Sequence, residues 1–410
     1  MSEESSVSRR KFLGAAGTAA AASAFMITSP KIALGTEANS ALQFGLLGCG
    51  SRGPWIANFF QQETNSKCVA VHDYFRDRTD GAGARLKVPE SGRFVGLDGY
   101  KELLEQELDA VAVISPAYFH PTQAIAALEA GKHVYLAKPI AVDAPGCQDI
   151  VDAANKHGGK LSILADFQTR KNAPHQAVVE AVHAGAIGEP VCGQGWFHAS
   201  RLGLRTKAGT DVAKLRNWFF DIALSGDIIV EQSIHAIDVA NWMLKDHPVS
   251  AQGMGGRKAR TDVGDCWDHF LVNYTYPNEV QIDYGATQFL TGWSDICCRL
   301  FGTEGTADTH YFGECSLKAK SKNIQPAKTG NIYGEGAIEN IKDFHASIMS
   351  GDYLNNTQES ADSTMAAILG RMAAYEGRTV TWDEMVKRGE RLDPQLDLPA
   401  NGPELKPEPV

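Results

Sequence analysis

The chain has 410 residues, 43% hydrophobic and 21% charged, which is the balance of a soluble globular protein too long for one ordinary core. Its 39 Lys and Arg against 49 Asp and Glu leave a net charge of −10, and no basic run stands in the body to meet phosphates, which argues against a nucleic-acid partner. Eight cysteines (49, 68, 147, 192, 266, 297, 298, 315) show no paired spacing and read as buried thiols, which excludes a disulfide framework or zinc cluster.

In chain order the first element is a leader. Ser8-Arg9-Arg10-Lys11-Phe12-Leu13 precedes a weakly apolar, alanine-rich stretch from Gly14 to Ile27, the pattern of a twin-arginine export signal. The stretch is too short and too mildly apolar for a membrane span. Cleavage after Ala24 and after Ala38 fit equally. Residues 1–40 are therefore set aside, and the mature protein is expected in the periplasm or otherwise exported, with no stable membrane insertion. Because this route carries folded proteins, a nucleotide cofactor would travel inside the protein.

A nucleotide-binding domain is expected over 41–167. The apolar strand from Gln43 runs straight into Gly48-Cys49-Gly50-Ser51-Arg52-Gly53, a GxGxxG, followed by a helix from Pro54 to Gln61. A second strand from Cys68 ends at Asp73, twenty residues after Gly53, where a ribose-binding carboxylate belongs. Gly48 permits the tight turn, Gly50 lets the backbone approach a pyrophosphate, Gly53 allows close packing, and the helix N-terminus offers N–H groups to negative charge. Strand, glycine loop, helix, strand and acid in order point to NAD(P). Asp73 favours NAD over NADP by repelling a 2′-phosphate, although Arg76 and Arg78 soften that preference. Strands at 110–115, 132–136 and 160–167 alternate with helices at 122–130 and 146–156, as in a doubly wound parallel sheet.

A second, α+β domain is expected over 168–385. Period-two stretches at 191–197, 270–276 and 280–285 suit a large, open, mainly antiparallel sheet with one wet face. Helical periodicity returns at 338–349 and 361–375. From Arg391, prolines at 394, 399, 403, 407 and 409 mark an extended tail, set at 386–410.

Three segments carry chemistry. Ser115-Pro116-Ala117-Tyr118-Phe119-His120 resembles TPNxxH. Gly131 to Pro139 (GKHVYLAKP) resembles AGKHVxxEKP. Glu231-Gln232-Ser233-Ile234-His235-Ala236-Ile237-Asp238 resembles DxGxHxxD. With the Rossmann start, they resemble the Gfo/Idh/MocA oxidoreductases over essentially the whole mature chain, in an exported subgroup with AKP in place of EKP. The resemblance implies a site between the domains, where members oxidise or reduce a sugar or cyclitol carbon and some use the bound cofactor for glycosidic cleavage. It gives Ser51, Arg52, Ser115, Pro116 and His120 to the cofactor along with Gly48, Gly50, Gly53 and Asp73, and makes Lys138, His235 and Glu231 the catalytic candidates.

Lys138 lies just past a strand end, where it can face both nicotinamide and a substrate oxygen; burial would lower its pKa, and Ala137 removes the family's neighbouring carboxylate. His235 suits a general base for a hydroxyl proton. Glu231, His235 and Asp238 would share one face of a helix over 229–244. Gln168, Arg170, Trp196 and His198 are candidate substrate contacts, with core packing an equal reading for Trp196. Asp265, Asp268 and His269 lack a defined ligand geometry, and no metal is expected. Three functions follow. The first is an NAD(P)-dependent oxidoreductase acting on a secondary alcohol of a sugar, glycoside or cyclitol. The second is a redox-neutral glycoside hydrolase or lyase that oxidises a ring transiently with a tightly bound cofactor. The third is a non-catalytic periplasmic sugar-binding protein. The partner is a small carbohydrate-like molecule, and the open sheet suggests a homo-oligomer.

Overall fold

The computed structural model describes residues 41–403. The twin-arginine pattern and the rest of residues 1–40 lie outside the described residues. Six strands form the first sheet: β1 Leu42–Leu47, β2 Ser66–Asp73, β3 Arg93–Val95, β4 Ala110–Val113, β5 His133–Ala137 and β6 Ile163–Asp166. Every neighbouring pair is parallel and the order is β3-β2-β1-β4-β5-β6. Continuous apolar runs produce this arrangement, because a parallel strand is covered on both faces; all of β4 and β5 is buried. On one face, helix Arg52–Glu63 and helix Ile332–Ser350 share a core through Phe60, Tyr135 and Phe344. Helices His120–Glu129 and Ala144–Lys156 bury Ala124, Leu128, Cys147 and Ile150 in the larger core. The strand order reverses between β1 and β4, so a crevice opens at their C-terminal ends.

The second sheet has nine strands: β7 Pro190–Ala199, β8 Ser250–Gly256, β9 His269–Thr275, β10 Gln281–Gln288, β11 Asp295–Gly302, β12 Gly305–His310, β13 Glu314–Ala319, β14 Asn323–Lys328 and β15 Val380–Thr381. Their order is β14-β13-β12-β11-β7-β10-β9-β8-β15, with only β7 and β10 parallel. The expected α/β class, a parallel sheet joined to a mainly antiparallel one, is what the chain forms. Along β9, Phe270, Val272 and Tyr274 are buried while Leu271 and Asn273 face outward, so period-two patterning covers the inner face with helices Ile234–Leu244 and Thr357–Glu376.

The expected single helix over 229–244 does not exist. Residues Ile228–Glu231 form one turn, Gln232 and Ser233 interrupt it, and a new helix runs from Ile234 to Leu244. The interruption is held by Tyr284, whose hydroxyl donates to the Ser233 carbonyl at 2.6 Å. The helix expected over 338–349 begins at Ile332 and returns to the first sheet. Among the described residues no helix is long and apolar enough to cross a membrane.

Candidate active site

The glycine loop joins β1 to helix Arg52–Glu63. Gly48 has φ 93°, and a Cβ there would sit 2.5 Å from the Ile114 carbonyl. A Cβ on Gly53 would lie 1.9 Å from the Gly48 carbonyl, so the helix packs against the loop only because residue 53 has no side chain. Above Gly50 the space is open, the nearest atom to a built Cβ being Arg78 Nη1 at 3.7 Å. Bare backbone at a helix N-terminus with room above it fits a pyrophosphate. Asp73, at the end of β2, accepts the Cys49 N–H at 2.8 Å and the Phe75 N–H at 2.9 Å, which holds its carboxylate at a pocket that Ser115, Pro116 and Arg78 also line. The residues present therefore fit a dinucleotide.

Two residues assigned to the cofactor by resemblance do other work. Arg52 sends its guanidinium to Asp166 at the end of β6, 2.5 Å away, and stacks beside Tyr333 (4.8 Å) and Trp55 (5.3 Å). Asp166 is fully buried and also accepts from Gln168 and Asn340, so it is a hub joining the glycine loop to helix Ile332–Ser350. His120 is buried with Nδ1 2.8 Å from the Pro139 carbonyl and Nε2 2.8 Å from the Ser115 carbonyl. Burial pushes its pKa down to about 4, so the neutral ring donates to one carbonyl at a time and brackets the turn that carries Lys138.

Lys138, Glu231 and His235 converge. The Lys138 ammonium donates to the Glu231 carbonyl and lies 3.5 Å from its carboxylate. Burial lowers the Lys138 pKa; Glu231 opposes this and Arg52 adds to it. His235 is 8% exposed, its Nδ1 is buried without a hydrogen-bond partner, and its ring stands 5.1 Å from Tyr311. Burial first, then Lys138 and Arg52, hold its pKa well below the ordinary value, so the imidazole is neutral and ready to accept a proton. Tyr311 donates to Gln168 at 3.2 Å, which links the histidine's surroundings to the Asp166 hub. An imidazole, an ammonium and a carboxylate thus meet just beyond the C-terminal end of β5.

The other candidates divide. Gln168 belongs to the cluster. Asp238 does not: three residues after His235 on the same helix, it faces Arg170, which it meets at 2.9 Å, and Ser363 donates to it at 2.8 Å. Arg170 is spent on Asp238 and Glu359. Trp196 and His198 lie on the outer face of the second sheet, because β7 turns Gly195 inward onto Tyr284 and Phe197 to the buried side. There His198 bonds Thr287, and its ring lies 5.5 Å from Trp293 at a tilt. Asp268 is absorbed by the backbone N–H groups of Lys258, Ala259 and Arg260 and by His269. Sequence reasoning missed Asp166 and Tyr311. A carboxylate closing the apolar strand Ile163–Asp166 was a readable signal for the first; Tyr311, in a turn after β12, had none.

Residues 42–164 match the NAD-binding Rossmann fold of an oxidoreductase family, and residues 175–308 match the Gfo/Idh/MocA C-terminal domain. An inositol 2-dehydrogenase of Pseudomonas fluorescens is 30% identical over 268 residues, 65% of this chain and 74% of that protein. The chain belongs to the Gfo/Idh/MocA oxidoreductase family. An inositol 2-dehydrogenase of Pseudomonas savastanoi pv. phaseolicola is similar along its whole length, 27% identical over 360 residues and 82% of this chain. Among solved structures, levoglucosan dehydrogenase in complex with NADH and levoglucosan (TM-score 0.69, 18% identity) and aldose-aldose oxidoreductase from Caulobacter crescentus with glycerol (0.68, 18%) each align over 83% of this chain and 99% of theirs. At that identity they show the shared fold. The chain is an oxidoreductase with the family's NAD-binding domain.

Proposed function

We propose that this oxidoreductase acts on a secondary alcohol of a sugar, glycoside or cyclitol, with NAD in preference to NADP. The observation that carries the reading is the juxtaposition of an unpaired, neutral His235 with the Lys138–Glu231 pair at the C-terminal edge of a nucleotide-binding sheet. When bound, the dinucleotide supplies a hydride acceptor. His235 takes the hydroxyl proton, Lys138 donates to the same oxygen and stabilises its developing negative charge, and Glu231 orients Lys138 or a neighbouring hydroxyl. Asp73 receives the ribose hydroxyls. The inositol and levoglucosan dehydrogenases among its relatives support a polyhydroxylated ring as substrate. The test is a panel of cyclitols, aldoses and glycosides, read at 340 nm with added NAD. Turnover that survives both Lys138→Ala and His235→Ala refutes the assignment.

Ala137 favours a second, redox-neutral route for an exported protein: transient ring oxidation acidifies a neighbouring C–H, elimination breaks the glycosidic bond, water adds across the resulting double bond and returns a proton to that carbon, and the hydride returns to the same sugar. Glycoside cleavage in deuterated water would place deuterium at that carbon; net accumulation of NADH without exchange excludes the route. The same reading has the protein working outside the cytosol as a homo-oligomer. Exposed Met254, Leu271 and Trp293 support self-association, and sedimentation velocity tests it.

A further inference from the structure

The proline-rich tail packs behind residues that line the nucleotide crevice. The crevice beside Asp73 is lined by Phe75 and Leu97, which follow strands of the first sheet, and by Leu215, which packs with Phe75 in one apolar cluster. Leu215 belongs to helix Asp211–Arg216, far along the chain from the sheet. That helix is fastened down at Arg216, whose guanidinium lies 4.0 Å from the Phe75 ring centre and 2.5 Å from Asp77.

Residues 392–402 then bind both walls together. On the helix side, Lys214 donates to the Pro394 carbonyl at 3.0 Å and the Asp397 N–H donates to Asp211 at 2.9 Å. On the sheet side, the Leu97 N–H donates to the Ala400 carbonyl at 2.8 Å and the Leu392 N–H to Asp143 at 2.9 Å. Leu396 and Leu398 pack into the apolar cluster of Tyr74, Phe75 and Leu215. Two glycines let the strand press close. A Cβ at Gly96 (φ 95°) would meet the Ala400 carbonyl at 2.4 Å, and one at Gly402 (φ 85°) would meet the Tyr74 carbonyl at 2.7 Å. Pro394 and Pro399 restrict the free segment, which lowers the entropy lost when it docks.

We infer that residues 392–402, with helix Asp211–Arg216, form a strap that retains the adenosine half of a dinucleotide in its own chain. The inference rests on the dinucleotide reading above and adds slow exchange to it. A ligand seated behind Leu215 leaves only when the strap lifts, so its dissociation is limited by the opening of these contacts. Such retention is what an oxidoreductase needs where free nucleotide is scarce.

The experiment loads the full chain with the fluorescent analogue 1,N6-etheno-NAD and follows its release after dilution into excess NAD. The double variant Leu396→Glu/Leu398→Glu expels the strap, and Arg216→Gln loosens the opposite wall without touching the tail. Circular dichroism and the melting temperature of the nucleotide-free forms report whether each variant is folded. Release at least about tenfold faster, the factor for a loss of roughly 1.4 kcal/mol, is expected from each folded variant. Unchanged release from the folded variants overturns the strap and leaves the dinucleotide site standing. Failure of the full chain to take up the analogue or NAD overturns the dinucleotide reading itself, and the strap with it.

Discussion

Replacing His235 with asparagine tests the chemistry at its base. In the resting protein His235 Nδ1 has no hydrogen-bond partner, so the substitution breaks no bond at that atom; its cost falls on the reaction and on packing against Tyr311 and Phe167. A positioned general base contributes about 10²–10⁴-fold, which is about 2.7–5.4 kcal/mol of barrier at roughly 1.36 kcal/mol per decade. The expected outcome is a fall in kcat of that size, with nucleotide affinity kept because His235 does not line the adenosine pocket. Melting should move by no more than a few degrees. The pH profile sharpens the test. Burial and the nearby cations lower the folded pKa of His235, so the ring is already neutral below pH 6.5 and the acid limb of log kcat/KM should fall under that value. Burial lowers Lys138, so the alkaline limb should begin below 10.5 as the ammonium is lost. Rates are followed at 340 nm with myo-inositol, levoglucosan and glucose. A His235→Asn enzyme that keeps the wild-type kcat and the wild-type acid limb would refute the assignment of His235 as base.

Asp73→Asn removes the charge that disfavours a 2′-phosphate and should shift the ratio of NAD to NADP dissociation constants toward NADP, measured by calorimetric titration; an unchanged ratio removes Asp73 from cofactor selection. Gly53→Ala places a Cβ 1.9 Å from the Gly48 carbonyl, so loop and helix must separate, and nucleotide uptake should be lost even in folded protein. Asp238→Ala strips Arg170 of its buried partner and should cost about 3–5 kcal/mol of stability in urea titration while nucleotide binding persists, since the pair lies outside the crevice. A loss of nucleotide binding with unchanged stability would contradict the structural role given to Asp238.

The sequence made the nucleotide half legible because its determinants are local. Gly48, Gly50 and Gly53 answer to backbone geometry within one turn, and Asp73 follows from strand length. Strand positions β4 and β5 were readable because burial on both faces imposes unbroken apolar runs. The proposed catalytic trio Lys138, Glu231 and His235 was suggested by the motifs, and the structure puts Lys138 against Glu231. Yet Asp238, on the same motif, is taken by Arg170 and Ser363, distant partners that motif spacing does not reveal, and the break at Gln232–Ser233 depends on a tertiary bond from Tyr284. Trp196 and His198 went to the wrong face because strand alternation fixes which residues share a side but not which side is inner. The resemblance gives Arg52 to the cofactor, and only the distant Asp166 shows where its guanidinium goes. Period two signalled β7, β9 and β10 well, whereas β11 to β14, with Cys, Arg, Thr and Lys mixed through them, lacked a clean apolar face.

Denaturing the purified protein and weighing what it releases bears most directly on the proposal that a nicotinamide lies against Lys138 and His235. One NAD or NADH per chain, recovered without added cofactor or after incubation with NAD, is the expected result. Protein that yields no nucleotide and takes none up would contradict it, since Lys138 and His235 would then face a crevice with no hydride acceptor.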